Sequence, residues 1–483
     1  MQKKWRNFVS PNNMNTRTMR KYILFLLTVM VVPMLFMSCA DNEETVEYSE
    51  DCYIQSFSLG QLKRRIYGVT AEGMDSIYTT SFSGSSFIMS IDQRNLTIEN
   101  MDSLPIRTQV DKVLATIGFE GLLVWRKADI TNAEDTIWNT YSTTDSIDFS
   151  EPLHFRVYSA SGLSHRTYKV KVNIHQQQGD STVWDSIGRV ESLSGMGARK
   201  AVEWNGQMIV LAENGGKLTY LQHPKAATGD WVAVTTTGTE GAMPETLQKQ
   251  GSRLYVNTTE GVVLESKNAV DWVVAPHQAM QGLQLVAASD DYLYALADGR
   301  LYRSNGGEWT EEQLDDDASL LPLVQINSAY YSLNNGMPRL ILVGAQNETD
   351  SVATVWAKSW EKGAEDQAEW IYYTPNQADE YRLPMFSNLC MVPYDNGLQA
   401  FGGRAPKDDR AAMEVILHSQ DHGITWKTYV NNDMQVDSRL QEDAQTAQRI
   451  TAVADSDNFL WIFADDKVWR GRINRLGFKR KDI

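Results

Sequence analysis

Residues 419–426 read Ser-Gln-Asp-His-Gly-Ile-Thr-Trp, a polar turn that delivers a tryptophan to the start of a strand. In such a hairpin the aspartate can accept backbone N–H groups, the glycine can take positive φ, and the tryptophan can pack between sheets. Shortened copies precede two other tryptophans, as Ser266-Lys267-Asn268 before Trp272 and Ser304-Asn305-Gly306-Gly307 before Trp309. Together with Trp184, Trp231, Trp370 and Trp426 these tryptophans recur at intervals of 47, 41, 37, 61 and 56 residues. One interval holds the β-prone segments Leu254–Asn257, Val262–Glu265 and Trp272–Val274, and the next holds Leu283–Ala287, Tyr292–Leu296, Leu301–Arg303 and Trp309. Short strands repeated every 40 to 50 residues or so predict a β-propeller, in which each sheet buries its faces only against its neighbours around an axis.

The ends say how the ring closes. The last repeat offers Ile450–Val453, Leu460–Phe463 and Val468–Ile473 with no fourth strand behind them, whereas a spare strand, Val183–Ile187, stands ahead of the first repeat. Pairing 183–190 with the last repeat gives six blades over 181–483 and leaves no open sheet edge. A seventh blade would have to hide in the long 309–370 interval.

Ahead of this region, residues 52–175 read as a β-sandwich. Tyr168–Ile174 alternates apolar and polar residues strictly, as a strand with one buried face does. With Leu153–Tyr158 and the turn Ser159-Ala160-Ser161-Gly162 it forms a hairpin. Further strands are expected at Ile54–Leu59, Phe87–Ile91, Val113–Ile117, Leu122–Arg126 and Ser146–Phe149, which suits an immunoglobulin-like sandwich. The final hairpin resembles that of bacterial cadherin-like modules. Residues 176–180 are a short polar linker.

The chain begins with Lys3, Lys4, Arg6, Arg17, Arg20 and Lys21, then an apolar run from Tyr22 to Met37, the layout of a signal peptide over 1–38 with a helical apolar segment. The run is short for a membrane span, which needs about 20 apolar residues. It ends in Phe36-Met37-Ser38-Cys39, which resembles the bacterial lipobox, and the resemblance implies that Cys39 is lipidated and becomes the mature N-terminus. Two acyl chains on such a residue anchor a protein stably where one does not. Met14 or Met19 serves as a start at least as well as Met1. The acidic stretch after Cys39, within the tether 39–51, resembles the one that carries Bacteroidetes lipoproteins to the cell surface. The expected location is therefore the outer membrane, facing outward, with a periplasm-facing anchor as the alternative.

Cleavage removes six basic residues of 45 and no acid, leaving 39 against 61 acids, a formal charge of −22. Such a chain repels nucleic acid and anionic membrane surfaces. Cys52 and Cys390 remain, and Cys390 reads as a buried small hydrophobe. No cofactor is called for, and no metal site: His154, His165 and His175 lack ligand spacing. The acidic run Glu311-Glu312 with Asp315-Asp316-Asp317 reads as solvated charge, and His422 as a side chain pointing to water.

Ser419, Asp421, Gly423, Thr425 and Trp426 fill the five positions of the Asp-box, which they resemble, and Leu398–Gly403 resembles a kelch strand ending in a double glycine. Taken whole, the chain resembles a family of Bacteroidetes lipoproteins with an immunoglobulin-like domain and an Asp-box, kelch-like six-bladed propeller. The resemblance implies this all-β architecture and brings no substrate. Ser76, Ser103, Thr136, Ser146, Ser181, Ser186 and Ser351 follow aspartates in a pattern that resembles the Bacteroidetes O-glycosylation sequon; Asp-Ser pairs are also ordinary turn residues. Tyr381-Arg382-Leu383-Pro384 resembles the arginine tetrapeptide of sialidases, but it precedes the fifth repeat, not the first, and no further catalytic residue is assigned. Arg382 and Arg404 are the candidate ligand contacts.

The expected function is non-enzymatic binding of a glycan or an envelope protein by the propeller. A structural subunit of an envelope complex and a sialidase-like enzyme are the alternatives. An axial pocket lined by arginines and acids would point to catalysis, and exposed aromatics to glycan binding.

Overall fold

The computed structural model describes residues 49–69, 74–226, 228–373, 381–404, 411–429 and 434–478. The signal peptide, Cys39 and the basic tail Lys479-Arg480-Lys481 lie outside these residues. Among the described residues the chain is all-β but for short helical turns and one helix, Ser438–Thr446. Among the described residues no helix is long and apolar enough to cross a membrane. It divides into two compact units, one of residues up to Ser58 with 91–98 and 114–171, the other of 59–90, 99–113 and 172 onward.

In the first unit His165–Lys171, Leu153–Tyr158, Leu122–Lys127 and Asn139–Thr140 are successive neighbours in one sheet, and Ile54–Leu59 pairs with Ala115–Phe119. Its core is aromatic: Phe57 meets Phe149 and Phe155 edge-on, with centroids at 6.1 and 5.7 Å. Tyr168 is fully buried, and its hydroxyl donates to Gln93 Oε1 at 2.6 Å while accepting Ile54 N–H. Ser146–Phe149, expected as a strand, is only an isolated bridge at Ile147. The hairpin Gln61–Val69 with Asp75–Ser83, counted with the second unit, is not marked in the sequence, because polar and exposed residues dominate it and Leu62 is its one fully buried side chain among the described residues.

The second unit contains six four-stranded antiparallel sheets. Their first strands are Arg199–Trp204, Ala242–Gln250, Gln284–Ala288, Val324–Ser332, Cys390–Tyr394 and Ile450–Ala454. The second strands, such as Leu293–Ala297, Gly397–Phe401 and Leu460–Ala464, are buried throughout. Strands covered on both faces need such continuous apolar runs. The first strand of each sheet adjoins that of the next, and the sixth adjoins the first, so the six form a closed cycle. They run in the same direction: Asn388 and Cys390 reach the carbonyls of Gln448 and Ile450, while Lys200 reaches that of Glu245 and Lys249 that of Glu203. The 309–370 interval holds one such sheet, lengthened by the nine-residue strand Val324–Ser332 and the eight-residue strand Pro338–Ala345.

The sixth sheet takes its fourth strand from the far end of the chain. Thr182–Arg189 pairs antiparallel with Lys467–Ile473, from Thr182 opposite Ile473 to Arg189 opposite Lys467. Trp184 lies across Gly471, where a Cβ would come within 2.6 Å of the indole, and its Nε1 donates to Gln435 O at 2.9 Å. Arg470 Nη2 donates to Asp185 Oδ2 at 3.0 Å across the same seam.

The turn at 419–426 has the bonding its residue types call for. Asp421 Oδ1 accepts Thr425 N–H and Ser419 Oγ–H, both at 2.8 Å, and its Oδ2 accepts the Thr425 hydroxyl at 2.6 Å. Gly423 takes φ +108°, and its carbonyl accepts Trp426 Nε1. Trp426 is buried against Ile341 and Val355 of the preceding sheet. In the copy at 266–272, Asn268 Oδ1 accepts the N–H groups of Val270 and Asp271, and Trp272 Nε1 donates to Ala269 O. Trp309 departs from this pattern; it is half-buried and donates outside its own turn, to Gln278 O.

Two sequence readings are corrected. His422 does not point to water: with φ +62° it turns back onto Tyr331, whose hydroxyl lies 3.0 Å from Nδ1. Glu312 is not solvated but fully buried; its carboxylate accepts Lys358 Nζ at 2.5 Å, Trp370 Nε1 at 2.7 Å and Arg303. Lys358 is equally buried, and desolvation lowers its pKa even beside that carboxylate. Removing one partner of such a pair leaves a buried charge, which costs far more than the pair itself contributes.

Two outcomes follow for stability. Gly471→Val should expel Trp184 from the seam and cost about 2–3 kcal/mol, as overpacking does, read as a lowered melting temperature; an unchanged melting temperature would mean that the seam does not hold the ring. Desolvation opposes ionisation of Asp421, yet the bonds from Thr425 and Ser419 hold its carboxyl below its ordinary value. Its contribution is therefore present above pH 4 or so and is lost as pH falls toward the folded value. Asp421→Ala should cost about 1–3 kcal/mol at pH 7, and the difference from the native chain should shrink in acid; a pH-independent difference would refute the ionised role.

Candidate functional site

The cycle of first strands encloses a channel of about 690 Å³, lined by residues from all six sheets. Because the strands run the same way, residues that begin them gather at one mouth. Arg199, Lys200 and Arg449 are there, and Glu203, Asp455 and Ser456 are toward the other end.

A single turn sets the basic mouth. Asp465, between the second and third strands of the sixth sheet, accepts the backbone N–H groups of Gln448 at 2.9 Å and Arg449 at 3.1 Å. Its own carbonyl accepts Arg199 Nη1 at 2.6 Å. Arg199 Nη2 donates to Met196 O at 2.9 Å, and Arg199 Nε has no protein acceptor although the residue is only 8% exposed. Desolvation lowers the pKa of this guanidinium, Asp465 opposes that, and Arg449 adds to it by repulsion. Lys200 Nζ makes one long bond, 3.4 Å to Glu245 O, and desolvation pulls its ammonium down to about 8, against the field of Glu245. Among the described residues none of the three cations is in an ion pair, while Asp466 is taken by Arg189 at 2.7 Å.

The carboxylates at the other end are committed. Glu203 receives Lys225 Nζ at 2.7 Å and Ser456 Oγ–H at 2.8 Å, and these bonds hold its pKa below the ordinary range although desolvation opposes them. Asp455 Oδ1 accepts the N–H groups of Asp457 and Phe459, and its Oδ2 accepts Trp461 Nε1 at 2.8 Å. Between the ends lie the amides of Gln248 and Gln284 and the thiol of Cys390, which desolvation pushes up to about 12. Gln248 is 7% exposed, and its Nε2 has no protein acceptor.

The residues singled out from the sequence fall elsewhere. Arg382 lies in the run joining the fourth and fifth sheets, where the Leu383 carbonyl accepts Ala353 N–H, and it does not line the channel. Arg404 is exposed; its carbonyl accepts Ser387 N–H, one residue before the channel-lining Asn388. Ser419, Asp421, Gly423, Thr425 and Trp426 bond within their own turn and do not line the channel. Of the hydroxyls in the sequon-like pattern, Thr136, Ser146, Ser186 and Ser351 are exposed, and Ser76, Ser103 and Ser181 are half-buried. Among the described residues no cluster of three His, Cys, Asp or Glu side chains could hold a metal ion. The lining went unread because its members come from six segments scattered over 250 or so residues. Only their shared position, at or just before the first strand of each repeat, connects them.

Sheets repeated around a lined axis define a β-propeller protein. The chain belongs to the DUF6242 family: residues 178–481 match its β-propeller domain and residues 57–172 its N-terminal domain, a domain of unknown function. No curated protein matches the chain in sequence. Similar solved structures include YCF48 bound to D1 peptide, at 12% identity and TM-score 0.33, over 60% of this chain and 96% of that one. Another is the Aleuria aurantia lectin in complex with alpha-methyl-L-fucoside, at 12% identity and TM-score 0.34, over 57% and 89%. A third is a family 117 glycoside hydrolase of Zobellia galactanivorans, at 9% identity and TM-score 0.31, over 62% and 93%. At these values neither ligand nor activity transfers to this chain.

The channel imposes a stability cost that can be measured. The Lys200 ammonium has a folded pKa of about 8 against an ordinary value near 10.5, so the unfolded chain holds more protons between those values and stability rises with pH across them. Lys200→Met should therefore raise the melting temperature at pH 7, by the equivalent of about 1 kcal/mol after screening by channel water, with the gain fading by pH 10. A destabilised Lys200→Met at pH 7 would contradict this.

Proposed function

We propose that this is a lipid-anchored envelope protein, an immunoglobulin-like module carrying a six-bladed propeller, that binds a glycan at the basic mouth of the axial channel without turning it over. The Cys39 anchor would hold it on the outer membrane, facing the surface or the periplasm. The observation that carries the binding role is the channel itself, a concave cavity of small-ligand size on which three cations converge without an ion pair among the described residues. The ring of first strands in a closed cycle supports the six-bladed reading.

Arginines and acids do share the channel, which is the pattern that would favour catalysis, but Glu203 and Asp455 lie toward the end away from Arg199 and Arg449, and Glu245 beside Lys200 is the one lining acid at the basic mouth among the described residues. Glycoside hydrolysis ordinarily takes two carboxylates flanking one bond. Glu203 and Asp455 are committed to Lys225, Ser456, Trp461 and backbone N–H groups, which leaves Glu245 alone. Among the described residues the lining contains no tyrosine or histidine to serve as nucleophile or base. These features favour recognition over turnover.

A glycan array probed with the soluble chain from residue 41 onward tests this. The expected result is retention of particular glycans with no cleavage on prolonged incubation, and unchanged retention and integrity with Glu245→Gln. Release of product that Glu245→Gln abolishes would establish the enzyme instead, and uniformly absent binding would move the role to a protein partner.

A further inference from the structure

We propose that the basic mouth of the channel is a site for a carboxylate-bearing saccharide, its acid held by Arg199, Lys200 and Arg449 and its hydroxyls by the amides of Gln248 and Gln284. The proposal rests on the channel being the binding surface and specifies the chemistry of what enters it.

Charge is the first ground. The whole chain has a formal charge of −16, yet three cations converge here without an ion pair among the described residues. Exposed cations of this kind are usually solvated and need no ligand, but Arg199 is 8% exposed, and its guanidinium is fixed by two carbonyl bonds with Nε left over. The acids around it are spoken for: the Asp465 carboxylate by backbone N–H groups and Asp466 by Arg189. Glu245 remains exposed beside Lys200, so the mouth keeps an excess of positive charge. A second buried donor, Gln248 Nε2, also faces no protein acceptor, and Gln284 makes no side-chain hydrogen bond among the described residues.

The lining also says what the anion is attached to. Among the described residues it contains no Phe, Tyr, Trp or His, so a sugar would find none of the aromatic platform expected for glycan binding and would be held through its acid and hydroxyls. Its amides and hydroxyls instead match a compact, hydroxyl-rich body.

Isothermal titration of the soluble chain with D-glucuronate and a glucuronate oligosaccharide, beside their glucose counterparts, tests the proposal. We expect the acidic ligand to bind about tenfold or more tighter than the neutral one, the difference one charge-assisted hydrogen bond makes, and to weaken with salt. Arg449→Gln and Lys200→Met, each checked for a native melting transition, should each reduce acidic binding about tenfold, a larger loss than either causes in neutral binding. Equal affinities for acidic and neutral sugars, or acidic binding that ignores both variants, would overturn the proposal. Neutral binding that is blocked by Ser328→Trp would do so while preserving the channel as binding surface. Binding of poly-glutamate in place of every saccharide would overturn the sugar assignment, and no saccharide binding at all would overturn both readings.

Discussion

The strand Thr182–Arg189 against Lys467–Ile473 is the pairing on which the second unit depends. It joins residues 285 positions apart, as Asp185 and Arg470 are, and it gives the last sheet the fourth strand its own repeat lacks. Without it the sixth sheet would end in an unpaired edge, and the first and sixth sheets would be joined only by packing and by bonds such as Arg199 to Asp465 O and Ser456 to Glu203. The channel is a consequence of that closure. A ring with one seam concentrates its vulnerability there, and Gly471 under the Trp184 indole is where the sequence provides for it.

That closure was legible in the sequence because it is an arithmetic of strands: three at one end, a spare one at the other. The bonding of the turn at 419–426 was legible too, since its residue types prescribe the bonds Asp421 makes to Ser419 and Thr425. Local patterns of this kind specify local structure. Where burial depends on partners far away in sequence, pattern failed. Glu312 looks solvated among its acidic neighbours, and only the arrival of Lys358, Trp370 and Arg303 from other strands makes it a core residue. The channel is the extreme case. Arg199, Lys200 and Arg449 are unremarkable basic residues until six parallel strand starts meet, and no local signal distinguishes them from Arg382, whose motif drew attention but whose position lies off the axis.

The same mouth sets folding against the recognition proposed for it. A desolvated lysine, a buried arginine with a spare nitrogen and a buried amide without an acceptor each reduce the stability of the ring. Apolar residues at these places would pack better. Sites that bind are commonly held at such a cost, because groups fully satisfied within the protein have nothing left to offer a ligand. The opposite end lacks this tension: Glu203 and Lys225 satisfy each other, as do Asp455 and Trp461. The polarity along one channel, satisfied at one end and unsatisfied at the other, is what singles out the mouth.

The most direct test is amide hydrogen exchange of the soluble chain with and without a glucuronate oligosaccharide. The account predicts slowed exchange together in the segments that lead into several first strands, around residues 196–201, 386–391 and 447–451, with no change in the turn at 419–426 or in residues 153–171. Protection confined to the outer turns, or to the N-terminal unit, would contradict it.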